Sequence, residues 1–182
     1  MSRQGKRARI QPAMVAVLSL ALLCGDAQPS QEYKVKAAFI YNFARFIEWP
    51  PSVFPSADAP FVIAVLGIDP FNGALEQAVN GKAVGTRRVE IRHFESVDKI
   101  GDCQILFVPV TDDASEANAI GKVKNNHVLT IGESDSFDVN GGCLQFFEQD
   151  NKVRFEISTD ATDQSQVRIS SKLLKLARIF KK

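Results

Sequence analysis

The sequence is poor in the side chains from which catalytic and metal centres are usually built. Its 182 residues include only three cysteines, two histidines and one tryptophan. The histidines, His93 and His127, lie far apart and have no cysteine or histidine neighbours at ligand spacing, which argues against a metal site. No Gly-x-Ser-x-Gly elbow, Walker loop or Gly-x-Gly-x-x-Gly turn occurs, so hydrolase, nucleotidase and dinucleotide chemistry lack their usual carriers. Neither an enzymatic activity nor a cofactor is expected. Asp112-Asp113 reads more simply as a helix cap than as an acid pair. No internal repeat, low-complexity tract or Pro/Gly/Ser-rich linker divides the chain, so one domain is expected at this length.

The one long apolar run is N-terminal. Arg3, Lys6, Arg7 and Arg9 precede "AMVAVLSLALLC" (13–24), and small Gly25 and Ala27 follow. That basic, apolar, small-residue order is the order of a secretory signal. The run is too short for a comfortable membrane span, which needs roughly 20 residues. Cys24 offers a lipoprotein cleavage site, but bulky Leu23 stands before it, so cleavage near Ala27 is favoured. The expectation is therefore a signal peptide over 1–27, a mature domain over 28–182 and a periplasmic location.

A surplus of one charge is also missing. Removing residues 1–27 takes away four cations and Asp26, so 22 basic and 21 acidic residues become 18 and 20, a formal charge of −2. Such a domain has no global field for a nucleic acid polymer. Cys103 and Cys143 remain. A bridge between them would close a loop of about 40 residues, worth roughly 4 kcal/mol on a chain-entropy model. The alternative is that Cys103, opening an apolar strand, is a buried thiol.

What the chain does have is clear periodicity. Residues 31–48 gather Val35, Phe39, Phe43 and Phe46 on one helical face, with Lys34, Tyr41, Arg45 and Glu48 on a narrow polar stripe. Strands are expected over 61–68, 87–94, 103–110 and 127–133, with helices over 69–79, capped by Asp69, and 112–124. "CLQFFEQ" and "VRFEIS" read as a hairpin, and 167–180 as an amphipathic helix. The fold class is α/β: one three-layer domain with a mostly parallel sheet flanked by helices, then a C-terminal β-hairpin and a terminal helix.

"FARFIEWPP" (43–51) is the most distinctive stretch. Pro50 pushes Trp49 out of the helical region. The indole then either caps the core, or joins Arg45 and Glu48 in a surface for a partner or an amino-acid-like ligand.

Six segments in order, "YKVKAAFIYNFARFIEWP", "VLGIDPF", "CQILFV", "VLTIGE", "VRFEIS" and "RISSKLLKLARIF", closely resemble the YfiR-like family of exported bacterial proteins, over about residues 32–180. The resemblance implies an α/β domain that dimerises and a non-enzymatic periplasmic regulator. Such a regulator binds the extracytoplasmic domain of a membrane-anchored signalling protein, a diguanylate cyclase, and represses it. Small ligands, tryptophan and a guanine nucleotide among them, are linked to the family's best-known member, so an exported small-ligand binding module is the alternative. Arg45, Glu48, Trp49 and Pro50 match the family's Trp-Pro motif, and Arg168 matches a basic position before the terminal helix. Ser170 stands where the family offers a ligand-contacting histidine. The family's best-known member has further cysteines and an intramolecular disulfide, whereas the mature part of this chain keeps only Cys103 and Cys143.

Overall fold

A computed structural model describes residues 29–181. The expected signal peptide lies outside the described residues. Helix α1 (Gln31–Phe46) begins at Ser30, whose hydroxyl accepts the Tyr33 N–H. Its buried face consists of Lys36, Ala37, Ile40, Phe43 and Ala44. Phe46, placed on the apolar face by periodicity, is 37 % exposed. The helix also stops short of residue 48. Ile47 and Glu48 are extended and form β1 (Ile47–Glu48), because a second chain segment takes up the backbone groups at the helix end.

Strand β2 (Phe61–Leu66) is buried along its whole length. Helix α2 (Ala74–Val79) is shorter than the sequence implies, and Asp69 does not cap it. The Asp69 carboxylate instead accepts the Phe71 N–H at 2.8 Å. Asn72 and Gly73 have φ of 48° and 82°, so no helix can run through them, and α2 starts only afterwards. Strands β3 (Ala83–Val84), β4 (Arg87–Phe94) and β5 (Ile105–Phe107) follow. Helix α3 (Asp113–Val123) is capped by Asp112, which accepts the Ser115 N–H at 3.0 Å. After β6 (Leu129–Gly132), β7 (Leu144–Gln149) and β8 (Lys152–Ser158) form a hairpin. Its turn is Asp150-Asn151, both with positive φ, as a tight two-residue turn requires.

The C-terminal segment departs most from its periodicity. After α4 (Thr159–Gln164) come β9 (Arg168–Ile169), α5 (Ser171–Leu174) and β10 (Arg178–Phe180). The terminal helix is thus a single turn between two strands, rather than a helix over 167–180. Glu156 in β8 explains why: its side chain is only 8 % exposed, and a buried carboxylate needs a partner. Arg178 supplies it, donating from Nε to Glu156 Oε2 at 2.6 Å and lying 3.9 Å from the Phe147 ring. Pairing of β10 along β8 satisfies the edge backbone as well.

The main sheet runs β10-β8-β7-β6-β5-β2-β4-β3, parallel from β4 through β7, with β8 antiparallel to β7 but parallel to β10, and β3 antiparallel to β4. Alternate residues feed two cores. Ile63, Val65, Ile105, Phe107, Leu129, Ile131 and Phe146 pack against α1 and α2. Val62, Ala64, Leu66, Leu106 and Val108 pack with α3 residues Ala119, Ile120 and Val123. This is the expected three-layer α/β arrangement. In the second core, Phe137 lies so close to Gly132 and Gly142 that an added Cβ would meet its ring at 2.2 and 2.1 Å. Among the described residues no helix is long and apolar enough to cross a membrane.

The cysteines are not bridged. Both are free and buried, Cys103 in the α3-side core and Cys143 in the α1-side core, with Cys143 Sγ 3.2 Å from Ser165 Oγ. The sheet stands between them. Burial, helped by Asp102, pushes the Cys103 thiol up to about 12.

Periodicity also leaves out an ionic cluster inside the first core. Lys36, only 6 % exposed, pairs with Glu32 at 2.5 Å and with Glu133, which follows β6. Tyr33 donates its hydroxyl to Glu133 at 2.9 Å, and burial together with that carboxylate pushes the phenol above its ordinary pKa.

Three outcomes follow for the fold. Phe43→Ala should cost about 3–5 kcal/mol in chemical denaturation, through lost burial and a cavity. Lys36→Ala should cost a similar amount, about 3–5 kcal/mol, because it strands Glu133. The double variant Lys36→Met/Glu133→Gln should recover most of that loss, and no recovery would show that the ion pair is not the cause. Peptide mapping of non-reduced protein should find Cys103 and Cys143 as free thiols that resist alkylation until the chain is denatured. A cross-linked Cys103–Cys143 peptide would contradict the two-core placement.

Candidate binding surface

The described residues outside the core that the sequence singles out fall into two places. The first is a short two-stranded ladder separate from the main sheet. β1 pairs antiparallel with β9, placing Ile47 opposite Ile169 and Glu48 opposite Arg168. The Ser170 N–H donates to the Phe46 carbonyl at 3.0 Å, which satisfies an otherwise orphaned helix-end acceptor. Directly opposite residues on one ladder bring their side chains together. Arg168 Nη1 accordingly lies 4.0 Å from Glu48 Oε2, with the two side chains 85 % and 73 % exposed. A helix continued through residue 48 would set Glu48 beside Arg45 on the polar stripe. Because Glu48 leaves the helix, it pairs with Arg168 instead.

Ser170 is half-buried and caps α5, accepting the Leu173 N–H at 3.3 Å. Its hydroxyl is occupied in the fold as a helix cap. Pro50 begins a short 3-10 turn, Pro51–Val53, with its carbonyl accepting the Val53 N–H at 3.1 Å.

Trp49 is an anchor. Its indole N–H donates to the His127 carbonyl at 2.8 Å, and its ring meets Phe61 edge-on with centroids 4.9 Å apart. A half-buried indole with its polar atom satisfied and its ring against the core fills a structural role. His127 has a φ of 56° and Nδ1 3.1 Å from the Gln166 carbonyl. A carbonyl only accepts, so Nδ1 carries the proton. The chain Trp49–His127–Gln166 therefore ties the exit of α1 to the segment leading into β9. The sequence carries little signal of this role for His127: an isolated histidine between "NN" and an apolar strand.

Arg45 belongs to the second place, a groove between α1 and α2 of about 860 Å³. Lys34, Arg45 and Lys82 line it together with Tyr41, Asn42 and Gln77, and none of its lining residues is a carboxylate. Lys82 Nζ lies 4.7 Å from the Tyr41 ring centroid, and the Arg45 guanidinium 5.8 Å from it. Tyr41 donates its hydroxyl to the Ala83 carbonyl at 3.2 Å, bracing the groove floor. Two cations beside one aromatic ring, with Lys34 as a third in the groove lining, make a local field that attracts anions. The six residues Arg45, Glu48, Trp49, Pro50, Arg168 and Ser170 thus divide, with Arg45 in the groove and the others around the ladder.

Known proteins resemble the chain at two levels. A solved structure, that of a conserved domain protein from Vibrio cholerae O1 biovar El Tor strain N16961, superposes with a TM-score of 0.52 at 10 % identity. The superposition covers 82 % of this chain and 60 % of that one, and at such identity it concerns the fold alone. No curated protein matches. The YfiR/HmsC-like family, by contrast, matches residues 33–178. That span enters in α1, takes in both the groove and the β1/β9 ladder, and ends in β10; the chain belongs to the YfiR/HmsC-like family.

Proposed function

We propose that this protein is an exported, non-enzymatic regulator that represses a membrane-anchored signalling protein, a diguanylate cyclase, by binding its extracytoplasmic domain. The observation that carries this reading is the family match over residues 33–178. The N-terminal basic, apolar and small-residue order supports export to the periplasm, with cleavage near Ala27. The docking surface is the β1/β9 ladder. Glu48 and Arg168 are exposed, oppositely charged and fixed in register, while Trp49 beneath them holds the backbone in place. Repression then requires only that the regulator bind the inactive state of its partner more tightly than the active one. Leu176, 75 % exposed, and Ile179 in the edge strand β10, 39 % exposed, leave apolar surface that supports a homodimer.

A second reading has its own observation. The α1/α2 groove, lined by Lys34, Arg45 and Lys82 with the last two beside Tyr41, suits an anionic small ligand such as an amino acid or nucleotide. A small-molecule binding module and a ligand-responsive regulator would both use it.

Capture from membranes with the folded chain as bait, followed by titration with the captured extracytoplasmic domain, tests the first reading. Glu48→Ala and Arg168→Ala should each change stability by less than about 1 kcal/mol, as exposed pairs do. Either should weaken partner binding about thirtyfold, roughly 2 kcal/mol, if the ladder is a hot spot. Trp49→Ala should instead destabilise the fold by about 2–3 kcal/mol, less than a fully buried aromatic, through its lost hydrogen bond and ring contact. Unchanged partner affinity in both ladder variants would remove the ladder as the docking surface. A captured set with no membrane signalling protein, together with an anion that binds in an Arg45-dependent way, would favour the second reading.

A further inference from the structure

Away from the ladder, three side chains of metal-ligating type converge at the carboxyl ends of two parallel strands. Asp69 follows β2, His93 lies at the end of β4, and Glu76 projects from α2. One ligand atom from each lies within 4.8 Å of the other two. Their sequence spacing gives no hint of this, because the parallel pairing of β2 with β4, Leu66 opposite Phe94, brings them together.

The placement is built into the backbone. Asp69 Oδ1 is held by the Phe71 N–H at 2.8 Å, and Phe71 is fully buried with its ring edge-on to Phe107 at 4.8 Å. The Gly67 N–H donates to the Phe94 carbonyl at 2.7 Å, which clamps the two strand ends that carry Asp69 and His93. With Oδ1 so engaged, Oδ2 faces His93 Nε2 at 3.2 Å. Two ligands on one tetrahedral ion, at bonds of about 2.0–2.1 Å, stand about 3.3–3.4 Å apart. The Asp69–His93 separation matches that edge, and modest rotation of Glu76 closes the third. Glu76 and His93 also border an open cavity of about 690 Å³, which gives an ion an entry path and room for water ligands.

We propose that Asp69, Glu76 and His93 bind a divalent transition-metal cation of the zinc class, with the remaining coordination left to water or to an outside ligand. Two carboxylates balance the charge of the ion. The imidazole selects against magnesium and calcium, which take oxygen ligands. Asp69 and His93, carried by the clamped ends of β2 and β4, are preorganised for an ion, and Glu76 is supplied from α2.

The test is calorimetric titration of the untagged full-length chain with zinc chloride, repeated on Glu76→Gln, His93→Ala and their double variant. Saturation at one ion per chain is expected, with each single variant weakening it at least about tenfold and the double variant abolishing it. Glu95→Gln, an exposed acid outside the set, should leave the affinity unchanged, and magnesium chloride in place of zinc should give no saturation. Thermal melts confirm that each variant is folded. If His93→Ala is not, Glu76→Gln, exposed on its helix, carries the comparison. Absence of saturable binding would reduce Asp69–His93 to a surface ion pair and overturn the proposal. Binding that survives in the double variant, or that falls as much in Glu95→Gln, would overturn it equally.

Discussion

The position of Phe43 against the sheet is the contact on which the other features depend. Its ring is fully buried and meets Phe146 and Phe155 of the β7/β8 hairpin at centroid distances of 5.9 and 4.9 Å, with Phe39 stacked at 5.9 Å. Aromatic packing of this kind fixes the rotation of a helix as well as its distance. With Phe43 inward, Lys36 one face-repeat earlier must also point inward, and it survives there because Glu133 and Glu32 meet it. Lys34, Tyr41 and Arg45 are turned toward α2 and become the groove wall. One rotation therefore sets the buried ion pair, the cationic groove and the direction in which the chain leaves the helix.

That exit separates structural from exposed roles within a few residues. Ile47 is buried, Glu48 exposed and Trp49 half-buried, the alternation of an extended segment. A helix continued through residue 48 would have left Glu48 beside Arg45 and away from Arg168. The β1/β9 ladder instead places two opposite charges on a backbone held from below by the Trp49–His127 hydrogen bond. The exposed pair contributes little to stability, as charges in high dielectric do. It is free to serve recognition, while the indole keeps it in register.

The sequence was most legible where one physical preference acted alone. β2 is a continuous apolar run buried on both faces, α3 starts at an acidic cap, and the β7/β8 hairpin alternates around an Asp-Asn turn; each was readable residue by residue. The misreadings occur where two preferences compete. Residues 167–180 have a helical apolar row, but Glu156 needs Arg178 and the β8 edge needs a neighbour, so tertiary demand overrides local period. Asp69-Pro70 looks like a helix start, yet Asn72 and Gly73 force positive φ directly after it. Glu48 could be named from the Trp-Pro stretch, but its pairing with Arg168 spans most of the chain, and no local pattern encodes it. The separation of Cys103 from Cys143 depends likewise on which side of the sheet each faces.

The same topology links the groove to the proposed metal ligands. Helix α2 presents Glu76 toward His93 and Asp69, while Gln77 and Ala78 line the groove with α1. Lys82 and Ala83 border both cavities. α2 has only six residues, and it is entered through a loop with positive φ at Asn72 and Gly73 and left through Gly81, again at positive φ. A helix too short to be stable by itself takes its position from its packing. Any ligand that moves α2 on one side therefore changes the geometry offered on the other. By thermodynamic linkage the two affinities must then change by the same factor, whichever ligand binds first. The β1/β9 ladder follows directly from the last turn of α1, two residues beyond Arg45 of the groove wall. The Phe43 contact that sets the rotation of α1 therefore fixes the groove wall and the start of the ladder together, because one helix carries both.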